Sequence, residues 1–207
     1  MAEMQTAGTA ATSTLQPTAG TQLLRQTTLV VAGSALVAIC AHISIPLIFT
    51  PVPLTMQNFA VLLLGLMMEP AAVFASMVLY LIEGASGLPV FTPHGPGGIL
   101  QLLGPTGGFL LAYPFVAACA GVLARRIRPA SFATYTFAAA AASILLYAGG
   151  AAWFTVLSHL SLAGTLKMTV LPFLAGDALK VVAAAAIAIS IMKVRKRAGA
   201  VKEPASL

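Results

Sequence analysis

Asp177 and Lys180 are the only charged residues between Lys167 and Lys193, in a stretch that otherwise runs Met-Thr-Val-Leu-Pro-Phe-Leu and on through repeated alanines. A charge inside an apolar segment of membrane length costs about 2.5 to 3.5 kcal/mol even on the lenient insertion scale. Such residues need a reason to be there. A spacing of three puts them on one helix face, and Pro172 and Gly176 just before them loosen the backbone. The pair offers an acceptor and a donor together, which suits a small molecule with both N–H groups and an anionic end. The alternative is that the two charges neutralise each other and pin helix packing. Gln57, in a second apolar stretch, adds an amide that either donates or accepts, a type that also serves as an interhelical hydrogen bond.

Other candidates are less pointed. Glu83 stands at the edge of an apolar segment, where it lines a pocket or simply faces water. Tyr80, Phe91, Phe109, Tyr113 and Trp153 could wall a pocket, although aromatic residues in such a chain more often pack helices or form an interfacial belt. His42, His94 and His159 lie far apart with no Asp, Glu or Cys at metal-ligand spacing, so no metal site is expected. Gly104-Pro105-Thr106-Gly107-Gly108 lacks the Gly-Lys-Ser/Thr end of a phosphate-binding Walker loop, and ATP hydrolysis by this chain alone is not expected. Gly84-Ala85-Ser86-Gly87 matches the Gly-x-Ser-Gly pattern of rhomboid intramembrane proteases. That reading needs a histidine in the last span of the core, and 168–192 contains none. A serine without a positioned base is a weak nucleophile.

The elements that must hold these residues follow from composition. The chain is 59% hydrophobic and only 8% charged, where an ordinary soluble domain carries roughly 25% charged residues. The bilayer is its natural solvent. Long segments free of Asp, Glu, Lys and Arg predict an all-α integral membrane protein of six transmembrane helices, at 29–49, 53–68, 71–85, 109–124, 131–157 and 168–192. With both termini placed in the cytoplasm, Arg25, Arg125, Arg126, Arg128, Lys193, Arg195, Lys196, Arg197 and Lys202 all fall inside. Only Lys167 falls in an outer connection, as the enrichment of cytoplasmic loops in Lys and Arg requires. The basic balance of +6 then reflects anchoring near anionic lipid, and no nucleic-acid partner is implied.

Residues 1–28 lack the basic start and apolar centre of a signal peptide and read as a disordered cytoplasmic tail. Residues 193–207 form a basic cytoplasmic tail. Between 84 and 108 glycine and proline recur too often for a span, while Leu88, Val90, Phe91, Ile99, Leu100, Leu102 and Leu103 give the loop something to pack with. It is expected to fold as a lid on the outer face. Phe49-Thr50-Pro51 and Phe91-Thr92-Pro93 echo each other on that side, and each proline stiffens its loop. Cys40 and Cys119, in apolar stretches, act as small hydrophobes.

Five motifs in order carry a resemblance: His42-Ile43-Ser44-Ile45-Pro46, Thr50-Pro51-Val52-Pro53-Leu54-Thr55-Met56-Gln57, Gly87-Leu88-Pro89-Val90-Phe91, Gly104-Pro105-Thr106-Gly107-Gly108 and Gly176-Asp177-Ala178-Leu179-Lys180. Over about residues 29–192 the chain resembles the BioY family, the biotin-specific substrate-binding (S) components of energy-coupling factor (ECF) transporters. The resemblance implies a six-helix S-component fold and a biotin pocket near the outer face beneath the first and third connecting loops. It places Asp177 and Lys180 on the motif that lines that pocket, with Gln57 in the matching second helix. Asp177 is then expected to accept a ureido N–H, and Lys180 to pair with the valerate carboxylate or to steady Asp177. Tyr80, Glu83, Phe91 and Tyr113 complete the expected site. No cofactor is implied, since ATP would be used by partner subunits: a transmembrane T component and two ATP-binding-cassette ATPases in the cell inner membrane. Ser34-x-x-x-Ala38 is the nearest match to the small-residue surface by which such helices meet the T component. A homo-oligomer is left open, and an intramembrane protease or a membrane scaffold are the competing readings.

Overall fold

The computed structural model describes residues 19–201. Its elements are α1 (Ala19–His42), β1 (Ser44–Ile45), β2 (Leu54–Thr55), α2 (Gln57–Met67), α3 (Pro70–Ala85), α4 (Gly98–Leu103), α5 (Gly107–Arg126), α6 (Phe132–Ser158), α7 (Leu162–Thr169) and α8 (Leu174–Val201). Among the described residues four helices, α1, α5, α6 and α8, are long and apolar enough to cross a membrane, and α2 and α3 are shorter apolar helices.

Local chemistry sets the helix ends. Pro70 occupies the first turn of α3, where its missing N–H costs nothing. The Ser131 hydroxyl accepts from the Thr134 N–H at 3.2 Å to cap α6, and Ser161 caps α7 through the Gly164 N–H, in each case satisfying an orphan donor of the first turn.

α5 lies innermost, packed on α2, α3, α4 and α6, while α8 packs on α2 and α6, and α1 on α2 and α3. Burial tracks this order: 61% of the apolar window of α5 is covered by protein against 22% for α1. The uncovered face is apolar too, with Ile39, Phe115, Phe137, Ile144 and Leu179 exposed, which in an aqueous protein would be a liability and in a bilayer is the matching surface. Close approach of α2 and α5 depends on Gly65 and Gly121. A Cβ at Gly65 would stand 2.6 Å from the Ala117 carbonyl oxygen, and one at Gly121 2.7 Å from that of Gly65.

The expected segments each contain a helix, with three corrections. The first runs 19–42 rather than 29–49, so residues 19–28 are helical, not a tail. Gln22, Leu23, Leu24, Arg25 and Gln26 are good helix formers, and neutral polar composition had masked this. Beyond His42 the chain leaves the helix because Ser44 pairs with Thr55 and Ile45 with Leu54 in an antiparallel ladder. That ladder also delays the second helix to Gln57. The sixth starts late and ends late: α7 ends at Thr169, the chain turns through Pro172, and α8 runs from Leu174 to Val201, so residues 193–201 of the expected tail are helical. The lid contains one turn-and-a-half helix, α4, entered through Gly97 and Gly98 at φ 68° and 57°, a backbone region open mainly to glycine. The remainder of the expected tails, 1–18 and 202–207, lies outside the described residues.

Candidate binding site

α8 starts against the ends of α2 and α6, and its first turns carry the charges. Lys180 Nζ donates to Asp177 Oδ1 at 2.9 Å, to Asn58 Oδ1 at 3.0 Å and to the Thr55 carbonyl at 2.6 Å. All three of its N–H groups are used. Asp177 Oδ2 accepts from the Tyr147 hydroxyl at 2.6 Å, and the carboxylate sits in the first turn of α8, where the helix dipole favours a negative charge. One ion pair thus ties α8 to both α2 and α6.

A second relay runs from α2 towards the lid. The Gln57 amide nitrogen donates to the Tyr80 hydroxyl, which donates to the Val90 carbonyl at 3.1 Å, and Phe91 packs edge-on to the Tyr80 ring with centroids 5.3 Å apart. The far end of the lid is held by Trp153 Nε1, which donates to the Gly104 carbonyl at 3.0 Å. Within it, Gln101 Nε2 donates to Thr106 Oγ1 at 2.9 Å. Thr92 Oγ1 donates to Ser44 Oγ, joining the lid to the β ladder.

Between these anchors lies a cavity whose empty space, open mouth included, is about 580 Å³. Val52, Pro53, Phe109, Leu110, Leu146 and Phe173 supply apolar wall, and Thr55, Gln57, Asn58, Thr92, Gln101, Thr106, Tyr113, Tyr147, Asp177 and Lys180 supply polar groups. Its free hydrogen-bonding capacity is specific. Asp177 uses two of the roughly four lone-pair positions of a carboxylate. Asn58 engages its oxygen with Lys180 and the Phe59 N–H, leaving its NH₂ without a partner among the described residues. The Tyr113 hydroxyl likewise has none there. A neutral head group that both donates and accepts fits that set, with an apolar body behind it.

Of the residues singled out by sequence, Asp177, Lys180, Gln57 and Tyr113 line this cavity, as does Phe109. Tyr80 and Phe91 are buried behind it, linking Gln57 to the lid. Glu83 points elsewhere: it accepts from the buried Ser34 hydroxyl of α1, so its carboxylate joins α3 to α1. Ser34 is therefore internal, which removes it from the surface that Ser34-x-x-x-Ala38 was expected to present. Ser86 ends α3 with its hydroxyl donated to the Glu83 carbonyl at 2.7 Å, and is not held by a histidine.

A sequence model of the BioY family matches residues 7–197. This chain belongs to the BioY family. It is 35% identical over 160 residues to the biotin transporter BioY of Thermotoga maritima, covering 77% of this chain and 91% of that protein. To the probable biotin transporter BioY of Pyrococcus horikoshii it is 41% identical over 104 residues, spanning 50% of this chain and 62% of that one. The crystal structure of the S-component for biotin from an ECF-type ABC transporter superposes with a TM-score of 0.78 at 25% identity, covering 86% of this chain and 95% of that one. The predominantly helical arrangement of this chain is similar to that S-component's. Among the polar wall residues of this BioY chain that sequence reasoning passed over are Asn58, Gln101 and Tyr147. Asn58 was signalled by its place beside Gln57 at the head of an apolar helix, and Gln101 by being the single amide among the leucines of α4. Tyr147 carried no such mark, since nothing local relates it to Asp177 thirty residues on.

Proposed function

We propose that this chain binds biotin and serves its uptake as the substrate-specific subunit of an ECF-type ABC transporter, without enzymatic activity of its own. The observation that carries the reading is the pairing of a partly unused Asp177 carboxylate with free donors on Asn58 and Tyr113 in one apolar-walled cavity. Biotin's ureido ring presents N–H groups on either side of a carbonyl, and its thiophane ring is apolar. Asp177 accepts a ureido N–H, the Asn58 and Tyr113 donors face the ureido oxygen, and Phe109, Leu146 and Phe173 take the ring. Lys180 steadies Asp177, because its three N–H groups are already engaged; pairing with the valerate carboxylate would require it to release one of them.

The reading further includes six passes through the cell inner membrane, by α1, α2, α3, α5, α6 and α8, of which α2 and α3 are shorter than a full span and pass with their flanking segments or a locally thinned bilayer, with both termini cytoplasmic. Arg125, Arg126, Arg128 and the basic end of α8 then fall inside, and Lys167 of α7 on the cavity side, outside. A T component and two ABC ATPases supply the ATP-driven step, for which this chain has no Walker loop. Uptake of labelled biotin by a biotin-auxotrophic host tests the assembly. Uptake is expected only when the T component and ATPases are expressed alongside, and uptake by this chain alone would contradict the partnership.

A further inference from the structure

At the opposite end of the bundle from the cavity, α2, α5, α6 and α8 enclose a second cleft of about 630 Å³ with its mouth. Leu66, Ile191 and Met192 give it an apolar wall, and Arg125, Arg128 and Arg195 stand around it. Arg125 is already committed. Its guanidinium donates to the Met68 carbonyl at 2.6 Å and the Gly121 carbonyl at 3.0 Å, and Nε lies 3.5 Å from a Glu69 carboxylate oxygen. Arg128 and Arg195 are exposed and have no acidic or hydrogen-bonded partner among the described residues. Among the described residues Glu69 is the one carboxylate paired with this cluster, and its side chain is 78% exposed, so the described residues give the cleft a net positive charge.

We propose that this cleft seats an anionic phospholipid, with its phosphate between Arg128 and Arg195 and an acyl chain along Leu66, Ile191 and Met192. Guanidinium groups match phosphate oxygens through paired N–H donors, and basic pockets between helices at the cytoplasmic boundary suit acidic head groups. A free phosphate would satisfy the arginines and leave the apolar wall unused. On α8 beside the cleft Ile187 and Val194 are exposed as well, which gives an acyl chain further apolar surface there. A lipid held there would join the α5–α6 connection to the end of α8. This inference does not depend on the identity of the transported ligand.

Native mass spectrometry of the full chain from mixed micelles tests it, using equimolar phosphatidylglycerol and phosphatidylcholine of identical acyl chains. One phosphatidylglycerol is expected to be retained in preference by about tenfold or more. Arg128→Gln with Arg195→Gln should reduce the preference to about twofold or less, while Arg25→Gln on α1 leaves it unchanged. If the double variant does not fold, Arg195→Gln alone should lower the preference about threefold. Equal retention of the two lipids, a preference that survives loss of both arginines, or displacement of the lipid by inorganic phosphate would each overturn the assignment.

Discussion

Lys180 and Asp177 form an ion pair at 2.9 Å with only 9% and 10% of their side chains exposed, and the two ends of that pair are unequally satisfied. The ammonium has an acceptor for every N–H, whereas the carboxylate keeps lone pairs free on the cavity side. The lysine therefore acts chiefly on the aspartate, and the aspartate keeps accepting capacity on the cavity wall.

Removing one partner of a buried pair leaves an uncompensated charge, at a cost of about 3 to 5 kcal/mol. Lys180→Met should accordingly lower the melting temperature of the purified protein sharply. Adding Asp177→Asn to it should recover most of the lost stability, since no buried charge then remains, without recovering biotin binding. Differential scanning calorimetry with and without biotin checks both halves.

Tyr147→Phe deletes the hydroxyl that fixes Asp177 Oδ2 and leaves the ring in place. Loss of one hydrogen bond to a charged group is worth about 1.5 kcal/mol or more, so biotin affinity should fall roughly tenfold. The melting temperature without ligand should change little, because water at the cavity can replace the lost donor. Isothermal titration gives the affinity directly.

Part of the cavity wall could be read from the sequence because membrane burial makes polarity conspicuous. Asp177, Lys180 and Gln57 stand out against apolar neighbours, and the cavity wall does contain them. Glu83 stood out by the same logic and was misplaced: polarity at membrane depth reports that a partner exists, and here the partner is Ser34 on α1. Helix ends were legible where a cap or proline marks them, as at Pro70 and Ser131. They were missed where the cause was a contact distant in sequence, as in the Ser44–Thr55 pairing that ends α1 and postpones α2. Residues 19–28 show the limit of composition, because a polar helical turn and a polar tail use the same residues.

The lid is latched to α6 by the Trp153 N–H on the Gly104 carbonyl. Trp153→Phe removes that donor and retains much of the packing. Biotin should dissociate several-fold faster, by about fivefold for a bond worth about 1 kcal/mol, with little change in association rate. Stopped-flow displacement of a fluorescent biotin analogue measures it.

Gly65→Val should be among the most damaging apolar substitutions. Its Cβ would meet the Ala117 carbonyl oxygen at 2.6 Å, forcing α2 away from α5 and shifting Asn58 and Gln57 at the head of the same helix. A loss of at least about 2 kcal/mol of stability is expected, seen as a lower melting temperature together with weaker biotin binding.

Equilibrium biotin binding to the detergent-purified protein, compared with Asp177→Asn, tests the central claim most directly. The parent protein should bind one biotin with a Kd below about 1 μM, and Asp177→Asn should bind about 30-fold or more weakly. A folded, monodisperse parent protein that takes up no biotin, or an Asp177→Asn variant that binds it as tightly as the parent, would contradict the account.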